Sequence, residues 1–130
     1  MHERCSFDYA VVRVVPRVER GEFVNAGVIL FCPTEAFLEA RVELQRERLL
    51  ALDPNADCAL VESHLEMIPR VCRGGKEGGP IGELPQRARF HWLVAPRSTI
   101  IQMSPVHSGV HHDVSAALGQ LFEKMVRLRP

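Results

Sequence analysis

The chain has 130 residues, the size of one globular domain. Hydrophobic residues make up 46% and charged residues 25%, which excludes the disordered and fibrous classes of protein. The 16 basic and 16 acidic residues cancel at pH 7, so the net charge gives no overall attraction to nucleic acid or to an anionic membrane. We therefore expect one domain over residues 1–130, with no membrane and no nucleic acid among its partners.

The first third of the chain predicts three strands joined by short connections, which favours an antiparallel meander. Residues 9–15 are rich in valine, and Pro16 ends this strand. Residues 23–32 are apolar at both parities, which is typical of a central strand covered on both sides, and Gly27 within it predicts a bulge or a close backbone approach. Residues 37–44 alternate between apolar and charged, as in a strand with one wet face.

The middle of the chain predicts helix followed by a loop. Residues 45–52 form a short helical turn, and Asp53 and Pro54 then supply a cap and a first helical position. Apolar residues at helical spacing extend this helix to about Ile68, where Pro69 should end or kink it. Residues 73–85 contain five glycines and two prolines, so we expect a flexible loop there.

The last third predicts strands at 89–95 and 98–103, an irregular segment at 104–112, and a final helix capped by Asp113. The order of elements is three strands, helices, two strands and one helix. This order predicts the α+β class: a single, mostly antiparallel sheet of about five strands, with two to three helices packed on one face.

The N-terminus and the cysteines indicate a cytoplasmic protein. The first residues lack the apolar core of a signal peptide, and no apolar run approaches the roughly 20 residues that span a bilayer. The four cysteines form no C-x-x-C pair, which argues against a zinc ribbon, and we expect reduced, mostly buried thiols.

A histidine-rich segment is a weak candidate for a metal site. His107, His111 and His112 lie within a few residues of Asp113, and imidazole and carboxylate are good ligands for zinc. A helix would place His107 and His111 on one face, but Gly109 and the cap at Asp113 argue against a helix. We therefore expect no cofactor and no metal.

Polar residues in strands and at strand ends form the second candidate site. The stretch between Leu84 and His112 has three arginines, four histidines and no acid, and arginine is a forked donor to carboxylate or phosphate. The alternative is that Arg13 or Arg17 forms an ion pair with Glu19 or Glu22 that serves only the structure. The residues predicted to bind an anionic ligand are Arg13, Arg17, Asn25, Arg97, Ser98 and His107.

Two long segments carry a family resemblance. They are YAVVRVVPR at 9–17 followed by GEFVNAGVILF at 21–31, and FHWLVAPRSTIIQMSPVHSG at 90–109. Together they resemble the bacterial domain of unknown function 3037 family over nearly the whole chain. The resemblance implies a small cytoplasmic bacterial protein of unassigned activity, with a HipA-like kinase encoded nearby as a possible partner.

The resemblance also implies which positions belong to the family pattern. They are Arg13, Glu22, Asn25, Gly27, Arg97, Ser98 and His107. The chain departs from the pattern at Ala26, where the resemblance implies valine. It also departs at His111 and His112, where an apolar residue and a cysteine are expected. A required ligand pair would not be a local novelty, so this departure argues further against a metal site.

Three functional hypotheses remain from the sequence. The first is a non-catalytic binding or accessory module for a protein partner or an anionic ligand. The second is a metal-assisted phosphoester hydrolase or nuclease with Glu22 and His107 as acid and base and Arg97 as charge stabiliser, which requires Glu22 and His107 to lie within about 10 Å of each other. The third is a structural role within a larger complex, which exposed apolar surface or apolar edge strands would favour.

Overall fold

One antiparallel sheet organises the fold. The computed structural model describes residues 3–127. The strands are β1 (Cys5–Val14), β2 (Val24–Cys32), β3 (Phe37–Val42), β4 (Ile101–Met103) and β5 (His107–His111). Strand β1 pairs with β2 on one side, and β2 pairs with β3; on its other side β1 pairs with both β4 and β5. This arrangement confirms the predicted single, mostly antiparallel sheet of about five strands.

Helices cover both faces of this sheet. They are α1 (Arg46–Leu52), α2 (Cys58–Arg73), α3 (Gly79–Gly82), α4 (Gln86–Val94) and α5 (Val114–Met125). The α+β class is confirmed, with more helices than the sequence predicted. Within residues 3–127, none of the helices has the length and apolar character needed to cross a membrane.

Helices α2 and α4 pack on what we call the first face of the sheet. Ile29 and Phe31 of β2 lie on this face and join the cluster that contains Leu65 of α2 and Phe90 of α4. The rings of Phe31 and Phe90 are 5.0 Å apart between centroids. Burying each of these large side chains contributes about 1.5–3 kcal/mol, so this cluster fixes both helices on the sheet.

Helix α5 packs on the opposite, second face, where the sequence placed no helix. Val28 and Leu30 alternate with the first-face residues of β2, and they contact Val114 and Leu118 of α5. The prediction that the helices pack on one face is therefore wrong, because β2 carries apolar side chains on both faces and both need to be covered. The predicted cap is confirmed: the Asp113 carboxylate accepts a hydrogen bond from the third amide of α5.

Two local predictions near the C-terminal third are wrong. Residues 86–94 form helix α4 rather than a strand, because Phe90 and Leu93, three residues apart, are the pair that enters the core. Residues 107–111 form strand β5 rather than irregular chain, because each residue pairs with one in the first half of β1. Strand β1 correspondingly begins at Cys5 instead of Tyr9.

The chain around Pro69 and the glycine-rich segment after α2 contain more regular secondary structure than the sequence predicted. Helix α2 continues through Pro69 to Arg73 because Val71 and Cys72 beyond it are buried. The Arg89 guanidinium also donates to the carbonyls of Val71 and Cys72, at 3.0 and 2.6 Å. The glycine-rich segment 73–85 contains a 3₁₀ turn and helix α3.

A bulge divides the outer edge of the sheet between β4 and β5. Ser104 and His107 are three residues apart but lie opposite Val11 and Tyr9, which are two apart. Ser104 is 4% exposed; its amide donates to the Val11 carbonyl, and its Oγ accepts from the Val11 amide at 2.8 Å. Pro105 follows directly, so β4 and β5 are two short edge segments rather than one long one.

Candidate functional site

An apolar groove opens on the first face between α2, the end of α4 and strand β4. Its volume is about 320 Å³. Trp92 at its rim is 43% exposed and Met67 is 39% exposed, so large apolar surface remains in contact with water. Its lining consists of His64, Met67, Ile68, Val71, Gly78, Trp92, Leu93, Arg97, Thr99, Ile101 and Met103.

The groove follows from the periodicity of the elements that line it. Met67, Ile68 and Val71 recur at helical spacing and form the side of α2 that faces β4. Ile101 and Met103 alternate along β4, so both side chains point to the first face. Two apolar walls are thereby held by rigid elements instead of loops.

Arg97 stands at one end of this groove as its fixed cation. Its Nη1 donates to the Leu93 carbonyl at 3.1 Å, and its Nη2 donates to the Trp92 carbonyl. Its guanidinium carbon lies 4.4 Å from the centroid of the Trp92 ring, which is cation–π distance. Among the described residues no carboxylate forms an ion pair with Arg97, and a guanidinium has further N–H groups to donate.

The backbone of β4 presents an unpaired edge beside the groove. Across β1 and the segment around β4, the Val15 amide donates to the Ile100 carbonyl, and the Ser104 amide donates to the Val11 carbonyl. In an antiparallel ladder the intervening residues Ile101 and Met103 therefore point their amides and carbonyls away from β1. Thr99 Oγ1 donates to the Ile101 carbonyl, and in the described part of the chain no other strand pairs with this edge.

Arg13 and Asn25, two of the predicted site residues, lie together but on the second face. They are cross-strand partners on β1 and β2, and Asn25 donates to the Met125 carbonyl at 3.1 Å. The Arg13 guanidinium carbon lies 4.3 Å from the centre of the Phe23 ring. Arg97 contacts the groove on the first face, so the sheet separates it from Arg13.

Arg17 and Glu22 lie in the connection between β1 and β2 and form ion pairs. Arg17 pairs with Asp53 at 3.8 Å, and Glu22 accepts from the Nε of Arg20 at 2.6 Å. The Arg20 hydrogen bond holds the pKa of the Glu22 carboxyl below its ordinary value. Arg17 and Glu22 therefore form structural ion pairs, although their partners are Asp53 and Arg20.

Ser98 and His107 are exposed, and neither is among the residues that line the groove with Arg97. His107 pairs with Tyr9 and its ring lies 5.5 Å from that of Tyr9. Tyr9 is five residues, or roughly 16 Å, from Val14, which pairs with the first residue of β2. His107 therefore lies beside one end of this stretch of β1, and Glu22 lies in the connection at the other end, an arrangement that does not favour the approach within about 10 Å that acid–base cooperation requires.

The histidine segment does not assemble a metal site in the described residues. The rings of His111 and His112 stack at 4.7 Å, and His111 Nδ1 accepts from the Asp113 amide at 2.8 Å. Over residues 3–127, no three histidine, cysteine or acidic side chains are grouped closely enough to hold a metal ion.

Other concavities have a less suitable lining than the groove. One of about 360 Å³ lies on β1 and β5 around Asp8 and Ser108, two side chains that already bond to each other at 2.8 Å. Another of about 490 Å³ is lined by the carboxylates of Glu43, Glu62 and Glu66. Neither combines apolar walls, a cation and an unpaired strand edge.

Most groove residues were missed from the sequence. Trp92 falls within the predicted strand 89–95, and His64 and Met67 fall within the predicted helix that extends to about Ile68. The available signal was that both Met67 and Trp92 are large apolar residues outside the buried stripe of their helices. Only the fold shows that they border one groove with Arg97.

Comparison with known proteins gives a family but no characterised relative. The family model described as "Protein of unknown function (DUF3037)" matches residues 9–126. Neither a search of curated proteins nor a search of solved structures finds a significant match. Because the family model covers far more than half of the chain, the protein belongs to the DUF3037 family.

Proposed function

We propose that this protein is a non-catalytic binding module that docks an extended apolar segment of a protein partner. The observation that carries the proposal is the apolar groove beside the unpaired edge of β4. An extended segment adds to such an edge through main-chain hydrogen bonds, and its alternate side chains enter the adjoining pocket. The groove supports both parts of this recognition.

The exposed apolar surface supports weak, reversible binding. Two apolar side chains that enter the groove contribute about 1.5–3 kcal/mol each, and backbone hydrogen bonds add about 0.5–1.5 kcal/mol each. Association and the ordering of a flexible segment offset several kcal/mol of this gain, so we expect a dissociation constant in the range from about 10 µM to 1 mM. Such weak binding suits a reversible accessory role.

The location and partner are also part of the proposal. We place the module in the cytoplasm, and the first partner to test is the HipA-like kinase that the family resemblance implies. The hydrolase alternative receives no support from geometry, because Glu22 is paired with Arg20 and the strand pairing does not bring it near His107.

Selection of peptides against the purified protein tests the proposal. A random decapeptide library with free C-termini is selected on the immobilised chain, and the peptides obtained are measured by fluorescence anisotropy. We expect Met67→Glu to weaken binding about tenfold or more, since a carboxylate then enters the apolar wall. Leu60→Glu, on the same helix but outside the groove and 49% exposed, is the matched control and should stay within about twofold.

Two outcomes would overturn this function. The first is a selection that yields no peptide with a dissociation constant below about 1 mM. The second is an equal effect of Met67→Glu and Leu60→Glu, which would place the binding surface outside the groove.

A further inference from the structure

We infer that the docked segment is the C-terminal end of a partner chain and that Arg97 binds its free α-carboxylate. This inference rests on the proposed function, because it specifies which kind of segment enters the same groove. Its support comes from charge, strand direction and the length of the edge.

Charge complementarity is the first support. The ionisable side chains that line the groove are those of Arg97 and His64, and no aspartate or glutamate is among them. Arg97 is partly buried, so its charge is only partly hydrated, and no described carboxylate pairs with it. A carboxylate that accepts from its remaining N–H groups would form a short, charge-assisted hydrogen bond.

The direction of β4 is the second support. Arg97 lines the groove and is four residues before Ile101, the first residue of β4, so its backbone lies on the side from which the chain enters β4. A guest strand that pairs antiparallel to β4 runs in the opposite direction, and antiparallel pairing is the more stable geometry per residue. Its C-terminal end therefore arrives at Arg97, whereas its N-terminal end points towards Ser104.

The length of the free edge is the third support. Strand β4 has three residues and is followed by the bulge at Ser104 and Pro105, so only a short segment can pair with it. At the other end the chain between α4 and β4 folds back, since Arg97 contacts both Trp92 and Leu93. A chain terminus can end within this short edge, whereas an internal segment would have to continue past the turn of the chain at Arg97.

The same geometry predicts the sequence of the terminus. Residues opposite Ile101 and Met103 place their side chains on the first face, and such residues are separated by one position. We therefore expect apolar residues at the last position and at the third position from the end. The residue between them points to the other face and is free to be polar.

Amidation of the terminus tests this inference. The probe is a fluorescein-labelled hexapeptide pool with leucine or valine at the last and third-from-last positions, made as the free acid and as the C-terminal amide. We expect the acid to bind the wild-type chain about tenfold or more tightly than the amide. In Arg97→Gln this ratio should fall to about one, because the acid loses more affinity than the amide.

Arg87→Gln is the matched control, because Arg87 lies on α4, the helix that precedes Arg97, but contacts Phe31 instead of the groove. This variant should retain the preference for the acid. Equal binding of acid and amide to the wild type would overturn the inference and leave the proposed function standing, as would a preference that survives Arg97→Gln. Failure of both peptide forms to bind would overturn the inference and the proposed function together.

Discussion

Gly27 lies at a place where three strands approach closely, and we expect its replacement by alanine to destabilise the sheet. It pairs with Val12 on one side and Val42 on the other, beside the bulge that inserts Ala26. A Cβ at this position would lie 2.7 Å from the Arg41 carbonyl oxygen and 2.8 Å from a methyl group of Val42. Because one of these contacts is backbone, a change of rotamer cannot relieve the clash.

The magnitude follows from two opposing effects. Overpacking of this kind costs about 1–3 kcal/mol, and a backbone contact favours the upper part of that range. Alanine also reduces the entropy of the unfolded chain, which offsets about 0.4–1 kcal/mol. The free energy of unfolding should therefore fall by about 2 kcal/mol, which lowers Tm by about 6–10 °C in a domain of this size.

Urea unfolding followed by far-ultraviolet circular dichroism measures the effect. Gly119→Ala is the matched control, because its Cβ would meet only the Arg41 guanidinium at 3.6 Å, an ordinary contact. Gly119 lies inside α5, so alanine there should stabilise the protein by about 0.5–1 kcal/mol. A Gly27→Ala variant within about 0.5 kcal/mol of wild type would refute the close approach.

Three further perturbations test other parts of the fold. Ser104→Ala removes the acceptor of the Val11 amide and should cost about 1–3 kcal/mol in urea unfolding, while Ser104→Thr should restore most of it. Asp113→Ala should cost about 1 kcal/mol by removing the cap of α5, and no change in the unfolding midpoint would contradict that role. The hydrogen bond to Glu35, with smaller effects of burial and charge, raises the pKa of the Cys5 thiol to about 11, so its thiolate is scarce at pH 8. Iodoacetamide should therefore label Cys5 slowly, and Glu35→Ala should increase the labelling rate about tenfold. This increase is smaller than the pKa change alone implies, because water screens the exposed Glu35 carboxylate. An unchanged labelling rate would contradict the hydrogen bond.

The strands that carry many apolar residues could be predicted from the sequence. Residues 24–32 show their burial on two faces directly, because every residue there is small or apolar except Asn25. Strand β5 could not, because HSGVH has a single aliphatic side chain and becomes a strand only through its partner β1. Helix α4 was mistaken for a strand because Phe90, Trp92 and Val94 alternate over a run too short for periodicity to decide.

The candidate site was predictable only in part. Arg97 was identified because it lies in an acid-free stretch, but the sequence grouped it with Arg13, which the sheet separates from it. The alternation of residues along a strand shows which side chains share a face of the sheet only when the strand register and the positions of bulges are known. The groove joins residues of α2 and β4 that are at least 30 positions apart, and no local pattern contains that contact.

The interruption at Ser104 and Pro105 has a consequence for solubility. If β4 and β5 formed one flat strand from 101 to 111, its unpaired amides would allow a second molecule to pair with it, and repeated pairing leads to fibrils. At the interruption the Val11 amide donates to the Ser104 hydroxyl oxygen instead of a backbone carbonyl, and Pro105 has no amide hydrogen to donate. The remaining edge of β4 can pair with a segment of two or three residues and is too short to template the growth of another sheet.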